Sequence, residues 1–516
     1  LILLAGTIGL VYLSELRVAL SSLAFHLLRE MIEHYGRNVH RITIERDGLR
    51  NWDSKTFETK RYDALFISVP YELMYKDLVS FLYKAGIPYF SKARERNDPL
   101  IILGGPAVTG NPLPVSSIAD AVFIGEAENI MEEALDIIVS DYTRKEKIQR
   151  LSEIKGVFTL EKDKPTRRIF AENLDGSFYP TNQLRYSNTS VEPIWGKALL
   201  VEVSRGCTRG CLFCMEGRIF RPYRVRSSGT IDEIISKGFS GGVYDKITLY
   251  SLSFFDHPES DSILKNIIRK GLKASVPSLR VDTLNESRLS MIRSIGQKTL
   301  TLAPETGSSR LAKSLRKEIY SSQVEEVVDT AIDVGLKQFK FYLMTGFYGE
   351  TKRDVEDTVK LLRNVAGKIK RVGGKLKVSL NPFIPKPFTP LQWHGFSDLR
   401  KIKNNIEAIR KGVGRSVSSF TYTDPKYARL QAILSRGGPE LSKPLALWGQ
   451  MDGFLSSWRT VAVNSGVKES QYLSFWDPEY TPIWHLYIRD DFNKPEALRQ
   501  VYLAFLDFQN KSFRNP

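Results

Sequence analysis

All three cysteines of this 516-residue chain fall within eight residues, Cys207-Thr208-Arg209-Gly210-Cys211-Leu212-Phe213-Cys214, in the spacing C-x3-C-x2-C. No other feature constrains the fold so tightly, because whatever surrounds this loop must hold three thiolates at one metal centre. Chance and core packing explain such clustering poorly. Thiolates are soft ligands suited to zinc or to iron–sulfur clusters. Three of them hold three corners of a cubane cluster and leave the fourth iron open to a small molecule. They provide no disulfide framework, which points to a reducing compartment such as the cytosol.

A hydrophobic fraction of 42% and a charged fraction of 26% describe an ordinary soluble globular protein long enough for about three domains. The opening run Leu1-Ile2-Leu3-Leu4 is apolar, but Ser14, Glu15 and Arg17 end it before it spans a bilayer. No basic region precedes it and no cleavage site follows, so it reads as the start of a buried strand, and the absence of Met predicts a trimmed or incomplete start. The net charge of +16 suits an acidic or polyanionic partner, nucleic acid first; a lysine-rich solvated surface is the plainer explanation.

Apolar runs alternate with amphipathic stretches from the beginning. Strands are expected at Leu1–Ala5, Val39–Glu45, Ala64–Val69, Leu100–Gly104 and Ala121–Gly125, with helices over Arg17–Tyr35, Tyr71–Ala85 and Glu126–Val139. This alternation implies a Rossmann-like parallel sheet covered on both faces, with its ligand at the strands' carboxyl ends. Those ends carry Ser68-Val69-Pro70-Tyr71, Gly104-Gly105-Pro106 and Gly125-Glu126. Glycines there let a backbone approach a ligand, or simply make turns. The Gly-Gly-Pro and Ile-Gly-Glu strand ends resemble cobalamin-binding domains attached to radical enzymes. That resemblance nominates Ser68, Tyr71, Gly104, Gly105, Gly125 and Glu126 for corrinoid contact. The Asp-x-His-x-x-Gly loop whose imidazole ligates cobalt in many such domains is missing: the six histidines, His26, His34, His40, His257, His394 and His485, are isolated. A corrinoid bound without a protein ligand, a vestigial domain and a substrate domain all remain open. Beyond it, Gly156–Leu160 and Arg167–Glu172 read as a hairpin, and Tyr179 to Pro193 as a linker.

From Ala198 the alternation resumes. Strands fit Ala198–Ser204, Lys246–Leu252, Lys273–Val276, Lys298–Ala303, Gln338–Met344 and Lys377–Phe383. Helices fit Thr230–Lys237, Asp261–Lys270, Glu286–Ile295, Val324–Val334 and Val355–Ile369. Six βα units suggest a partial or full barrel whose chemistry sits at the strands' C-terminal face. The cysteine loop follows the first of them. A closed zinc site needs a fourth ligand, and no second cysteine pair or loop histidine supplies it.

A C-x3-C-x2-C loop after the first barrel strand resembles the signature of the radical S-adenosylmethionine (SAM) superfamily. The resemblance implies that Cys207, Cys211 and Cys214 hold a 4Fe-4S cluster and that Phe213 lies near the adenine of SAM. Ser251-Leu252-Ser253 stands where many members have Gly-Gly-Glu, whose backbone receives the methionine amino group. Ser251 and Ser253 are therefore candidate contacts. In Ser278-Leu279-Arg280-Val281-Asp282, Arg280 is suited to pair with the methionine carboxylate. In Pro304-Glu305-Thr306-Gly307, Glu305 would accept hydrogen bonds from ribose or amino group, or else pair internally with an arginine. Tyr342, on the same strand face as Lys340, and Asn381 complete the candidates. The exit stretch Asn381–Trp393 contains four prolines and should be stiff and extended. It also resembles methylthiotransferases that modify tRNA and ribosomal protein, but their two extra clusters need cysteines this chain lacks.

Between Arg205 and Arg226 six arginines accompany one acid, Glu216. Arg218, Arg221, Arg224 and Arg226, interleaved with Phe220 and Tyr223, suit nucleic-acid contact; they equally suit the SAM carboxylate or offset the cluster's charge. Further on, Ser397–Gly412 reads as a helix, Ser416–Tyr422 as a strand, and Trp448, Trp458, Trp476 and Trp484 as an aromatic core or a lid.

The expected fold is α/β: a cobalamin-binding-like sheet (1–140), hairpin and linker (141–196), a partial (β/α)6 radical SAM barrel (197–395) and a smaller α+β C-terminal domain (396–516). As implied by the resemblance, the protein is a cytoplasmic enzyme that cleaves SAM reductively to a 5′-deoxyadenosyl radical. That radical serves C–H functionalisation, with cobalamin-dependent methylation as one outcome, of an RNA or RNA-associated substrate. An electron donor such as ferredoxin or flavodoxin is implied, and no membrane span. A small metabolite or lipid as substrate without cobalamin is the alternative, and a non-catalytic iron–sulfur scaffold or nucleic-acid-binding protein is the alternative of another class.

Overall fold

Before residue 197 the chain builds one mostly parallel sheet, and after it a barrel. A computed structural model describes residues 6–184, 191–277, 279–451 and 453–514. The chain divides into two units, one of Leu1–Lys197, Ile433–Tyr472 and Thr481–Pro495, the other of Ala198–Ala432, Leu473–Tyr480 and Glu496–Pro516. Residues 396–516 are thus shared between the units instead of forming the separate domain expected there.

The first unit holds β1 (Thr7–Tyr12), β2 (Asn38–Glu45), β3 (Gly48–Asn51), β4 (Ala64–Ser68), β5 (Leu100–Gly104), β6 (Ala121–Phe123) and β7 (Val157–Phe158), in the order β3-β2-β1-β4-β5-β6-β7. The five inner strands are parallel and the two edges antiparallel. Near-continuous apolar runs such as Leu100–Leu103, all buried, are what a sheet covered on both faces requires. The expected strand Leu1–Ala5 lies outside the described residues; the ladder starts with Thr7 opposite Asn38. The helix expected over 17–35 breaks in two, Leu16–Ala19 and Leu23–His34, where the Ser22 side chain accepts a hydrogen bond from the Phe25 N–H and caps the second.

The hairpin expected over 156–172 does not form. β7 joins the sheet edge beside β6, while β8 (Thr166–Arg167) pairs in parallel with Ile488–Arg489 from the far end of the chain. A buried Arg168–Asp490 ion pair at 2.8 Å secures that junction, so a distant segment outcompetes the local turn. Helix Ser442–Met451 packs on helix Tyr75–Lys84 through Gly449, where a Cβ would come within 2.7 Å of Val79. Trp448, Trp458 and Trp484 are all buried, which settles those three as core.

The second unit runs β9 (Ala198–Glu202), β10 (Ser204–Arg205), β11 (Arg224–Val225), β12 (Lys246–Tyr250), β13 (Ala274–Ser275), β14 (Thr299–Glu305), β15 (Gln338–Thr345), β16 (Lys375–Pro382) and β17 (Ser419–Tyr422). Parallel ladders β9-β12-β13 and β14-β15-β16-β17 are linked by a bridge between Leu279 and Leu302. All six expected units form. A seventh strand extends them, because β17 pairs with β16, Lys377 opposite Ser419. The exit stretch therefore stays with the barrel: Phe383, Phe388, Leu391 and Trp393 are buried. Phe383, Leu391 and Trp393 share one core with Leu212 of the cysteine loop, Phe347, Tyr502 and Phe505, against which Trp476 also packs. Along β15, Phe339, Phe341 and Leu343 are buried while Lys340, Tyr342 and Met344 are only partly so. The period of two puts the latter set on the barrel's inner face.

Candidate functional site

The cysteine loop is an excursion between the paired strands β10 and β11, with Arg205 opposite Arg224. Its first turn needs Gly206, at φ +83°, since a Cβ there would sit 2.5 Å from the Phe220 carbonyl oxygen. Its middle is pinned by the Leu212 N–H donating to the Leu315 carbonyl at 3.0 Å. Each sulfur receives one N–H donor: Arg209 N to Cys207 Sγ at 3.4 Å, Gly217 N to Cys214 Sγ at 3.3 Å, and Arg280 Nη1 to Cys211 Sγ at 3.9 Å. Donors of this kind stabilise thiolates and tune a cluster they hold.

Burial pushes the Cys214 thiol up to about 12 and raises Cys207 as well. Such thiols ionise only against a cation, as metal ligands do. Among the described residues no three His, Cys, Asp or Glu side chains converge on a single ion, whereas a cubane asks for one thiolate per iron. The three donors on three sulfurs, beside the open space around Gly210, fit the cluster.

The SAM candidates divide. Ser251 Oγ is buried without a hydrogen-bond partner among the described residues. That leaves it suited to a polar ligand group just past β12. Ser253 is buried near Asp256, and its Oγ too is without a hydrogen-bond partner among the described residues. Phe213 is half-buried, 6.4 Å from the Phe347 ring, with Lys317 Nζ 5.8 Å above it. Glu305 ends β14 at φ +69°, a strained backbone for a non-glycine residue, and binds Lys317 Nζ at 2.6 Å. The internal partner of Glu305 is therefore a lysine, where an arginine was expected. Tyr342 OH accepts from Lys340 Nζ at 2.6 Å, which verifies their common face. Asn381 accepts from Thr423 at 2.8 Å. Ser278 lies outside the described residues.

Arg280 is engaged differently from expectation. Its Nε and Nη2 hold Asp282 at 3.0 and 3.1 Å, leaving Nη1 for Cys211. Asp282 also receives Arg209 Nη1 at 3.0 Å, and Arg209 reaches Asp256 with Nε at 2.8 Å and with Nη2. The chain Asp256–Arg209–Asp282–Arg280–Cys211 thus ties the loop to the ends of β12 and β13. Sequence reasoning passed over Arg209 and Asp256; the one available signal was an arginine inside the cysteine spacing. Lys317 had no signal, because only the turn after helix Ser309–Ser314 brings it to Glu305.

The arginines after the cluster are not a nucleic-acid surface. Arg218, Arg224 and Arg226 are 8%, 8% and 1% exposed. Arg224 donates to the Pro222 and Phe220 carbonyls. Arg226 and Arg205 both pair with Glu202 at the end of β9 and so clamp the two ends of the excursion. Arg218 stands beside the Cys214 and Cys211 thiols, and burial, with Arg221 nearby, brings its guanidinium down to about 10. Only Arg221 of the four stays partly exposed. These side chains shape the loop and face its thiols.

Half of the corrinoid candidates also serve the fold. A Cβ on Gly105 would come within 2.9 Å of the Val69 carbonyl oxygen, and one on Gly125 within 2.0 Å of that of Ile169, so both glycines admit the protein's own backbone. Glu126 accepts from the Ala171 N–H at 2.7 Å. Ser68, half-exposed Tyr71 and open Gly104 remain at the strand ends. His26 is buried against the Leu20 carbonyl, which leaves it no role at the sheet's rim.

A cysteine loop of this spacing on the first strand of a parallel barrel defines an iron–sulfur enzyme of the radical SAM class. Family models described as "Radical SAM proteins, N-terminal" and "Radical SAM superfamily" match residues 45–159 and 201–362. The chain is 30% identical over 442 residues, 85% of its length, to the uncharacterised protein MJ0966 of Methanocaldococcus jannaschii, and covers 90% of that protein. It belongs to the radical SAM superfamily. A more distant relative is the anaerobic magnesium-protoporphyrin IX monomethyl ester cyclase of Cereibacter sphaeroides, 20% identical over 294 residues, 54% of this chain and 45% of that one. Among solved structures, the radical SAM methyltransferase TsrM of Kitasatospora setae, bound to cobalamin and a 4Fe-4S cluster, is similar in fold. Its TM-score is 0.56 at 11% identity, over 91% of this chain and all of that one. No described helix is long and apolar enough to cross a membrane.

Proposed function

We propose that this radical SAM enzyme functionalises an unactivated C–H position, with methyl transfer assisted by a corrinoid at the first unit's sheet, and acts on an RNA or RNA-associated substrate. The observation carrying the reaction is the order of its parts: a parallel sheet with free strand ends at Ser68, Tyr71 and Gly104, then a barrel opening on three N–H-supported cysteines. The cluster, when bound, supplies the electron that cleaves SAM to methionine and a 5′-deoxyadenosyl radical. This chain's own residues bind and orient. Cys207, Cys211 and Cys214 hold the cluster. Ser251 offers its unsatisfied hydroxyl to the methionine amino end. Glu305, fixed by Lys317, presents a carboxylate to ribose, and Phe213 flanks the adenine. Lys340, Tyr342 and Asn381 give the barrel interior a polar lining that holds the target carbon in place, where proximity does the rest.

The substrate class rests on the charge of +16, since the arginine segment is internal. A small-molecule substrate is the second reading, favoured because TsrM is described with tryptophan and the cyclase with a porphyrin ester. Anaerobic reconstitution with cobalamin and a low-potential donor, read by metal analysis and by 5′-deoxyadenosine release, tests the reaction. Four irons and one cobalt per chain are expected. Iron without cobalt removes the corrinoid step, and iron without 5′-deoxyadenosine overturns the catalytic reading.

A further inference from the structure

The charge left unexplained by the arginine segment collects at the opposite end of the barrel from the cysteines. Lys246 begins β12, Lys273 precedes β13, Lys298 precedes β14, Lys337 precedes β15, and Lys375 and Lys377 open β16. The ladders place these lysines side by side. Ile247 lies opposite Ala274, so Lys246 is next to Lys273; Thr299 lies opposite Gln338, so Lys298 is next to Lys337. The Lys375 N–H donates to the Lys337 carbonyl at 2.8 Å, and Lys377 is directly opposite Lys340. Like charges directly opposite each other on neighbouring strands destabilise a sheet. Among the described residues none of the six has a carboxylate at ion-pair distance, and all are exposed or half-exposed. Asp245 stands alone among acids on the strand starts themselves. Helix-dipole stabilisation does not account for them, since they follow the helices by two residues or more.

We infer that the amino-terminal rim of the barrel docks the phosphate backbone of a nucleic acid, an assignment that deepens the substrate class proposed above and rests on it. Lysines are point charges suited to phosphate without reading bases. Among the described residues no large apolar side chain of the turns that enter β12 to β17, where these lysines stand, is exposed, and Tyr244 is buried. A protein partner would need such an anchor at the interface core, whereas a phosphate backbone does not. The rim lies at the far ends of the strands from the cysteine loop, so it positions the bulk of a substrate and leaves the chemistry to the mouth.

The test is equilibrium binding of a 30-nucleotide polyuridylate to the reconstituted full chain over a salt series. Lys298→Glu/Lys337→Glu and Lys246→Gln/Lys273→Gln are compared with the remote control Lys145→Gln/Lys155→Gln. Each rim pair should flatten the slope of log K against log salt by about 1.4, at about 0.7 per lost phosphate contact, and weaken binding about tenfold or more at low salt. Iron content, thermal midpoint and 5′-deoxyadenosine release should stay at the parent level. Equal slopes in the rim and control variants overturn the assignment. So does displacement of the RNA by poly-L-glutamate of matched charge, which would mark an acidic protein as the partner. Loss of 5′-deoxyadenosine in the parent, with RNA binding retained, would sink the proposed reaction and leave the rim standing.

Discussion

Replacing Arg280 by glutamine removes the guanidinium that donates an N–H to the Cys211 thiol. Arg280 Nη1 stands 3.9 Å from Cys211 Sγ, and its side chain is 13% exposed. At an effective dielectric of about 20, a unit charge at that distance is worth about 4 kcal/mol to a thiolate. An electron added to the cluster spreads over many atoms, so a quarter to a half of this is felt by the redox step. That is about 1–2 kcal/mol, or about 40–90 mV for one electron. R280Q should therefore lower the reduction potential by this amount. D282N should raise it, because Asp282 offsets the same guanidinium at 3.0 and 3.1 Å. Its shift should be smaller, since Arg209 already shares that carboxylate. The assay is a potentiometric titration of reconstituted protein without SAM, followed by electron paramagnetic resonance of the reduced cluster. A purely structural role would lower cluster occupancy in both variants without opposite shifts. Should R280Q match the parent within about 10 mV while its KM for SAM rises, Arg280 serves the methionine carboxylate and the electrostatic reasoning fails.

Other expectations follow from the same geometry. E202Q strips the shared carboxylate from Arg205 and from Arg226, which is 1% exposed, and should cost about 3 kcal/mol in denaturant titration, as broken buried pairs do. The Glu202 carboxyl is buried, which alone would raise its pKa, but Arg205 and Arg226 prevail and hold it below 4.5. Its stabilisation is thus full above pH 4.5 and is lost as pH falls through the lowered value, so the parent should lose its advantage over E202Q in acid unfolding. S251A should raise the KM for SAM several-fold with little change in iron content, whereas an unchanged KM would remove Ser251 from the site. G125A should lower the thermal midpoint, since its Cβ would collide with the Ile169 carbonyl at a backbone φ of +108°. Lys317→Met leaves the Glu305 carboxylate without its partner and should weaken SAM binding more than the double variant with Glu305→Gln.

Much of the architecture was legible because period-two and helical patterns report which face of an element is buried. Four of the five inner strands of the first sheet and six of the barrel were placed within a few residues by their apolar runs, while β1 starts beyond the stretch expected for it. What escaped were pairings of short strands across long stretches of chain. β3 is too brief to show alternation, β7 was expected as a hairpin arm and pairs with β6 instead, and β8 finds its partner more than 300 residues away. β17 was visible as a strand but not as the barrel's seventh, since a proline-rich stretch that reads as an exit folds back into the core through Phe383 and Trp393. At the site, the three cysteines were legible from spacing alone. The roles of Arg218, Arg224 and Arg226 were not, because an arginine in sequence looks the same whether it meets phosphate or a buried carboxylate.

The eight residues from Cys207 to Cys214 by themselves gathered the chain's three thiols into one loop, and their place after the first barrel strand pointed to the class of chemistry, because thiol number and spacing are local properties. Charge sign belonged to composition too; its location did not. Only the tertiary structure decided that the arginines face inward to clamp the loop through Glu202. It decided as well that Arg209 and Arg280 wire that loop to Asp256 and Asp282, and that the unpaired lysines gather at the barrel's other end. Each of these depends on which distant strand ends come together, and that is set by register and burial across the whole barrel.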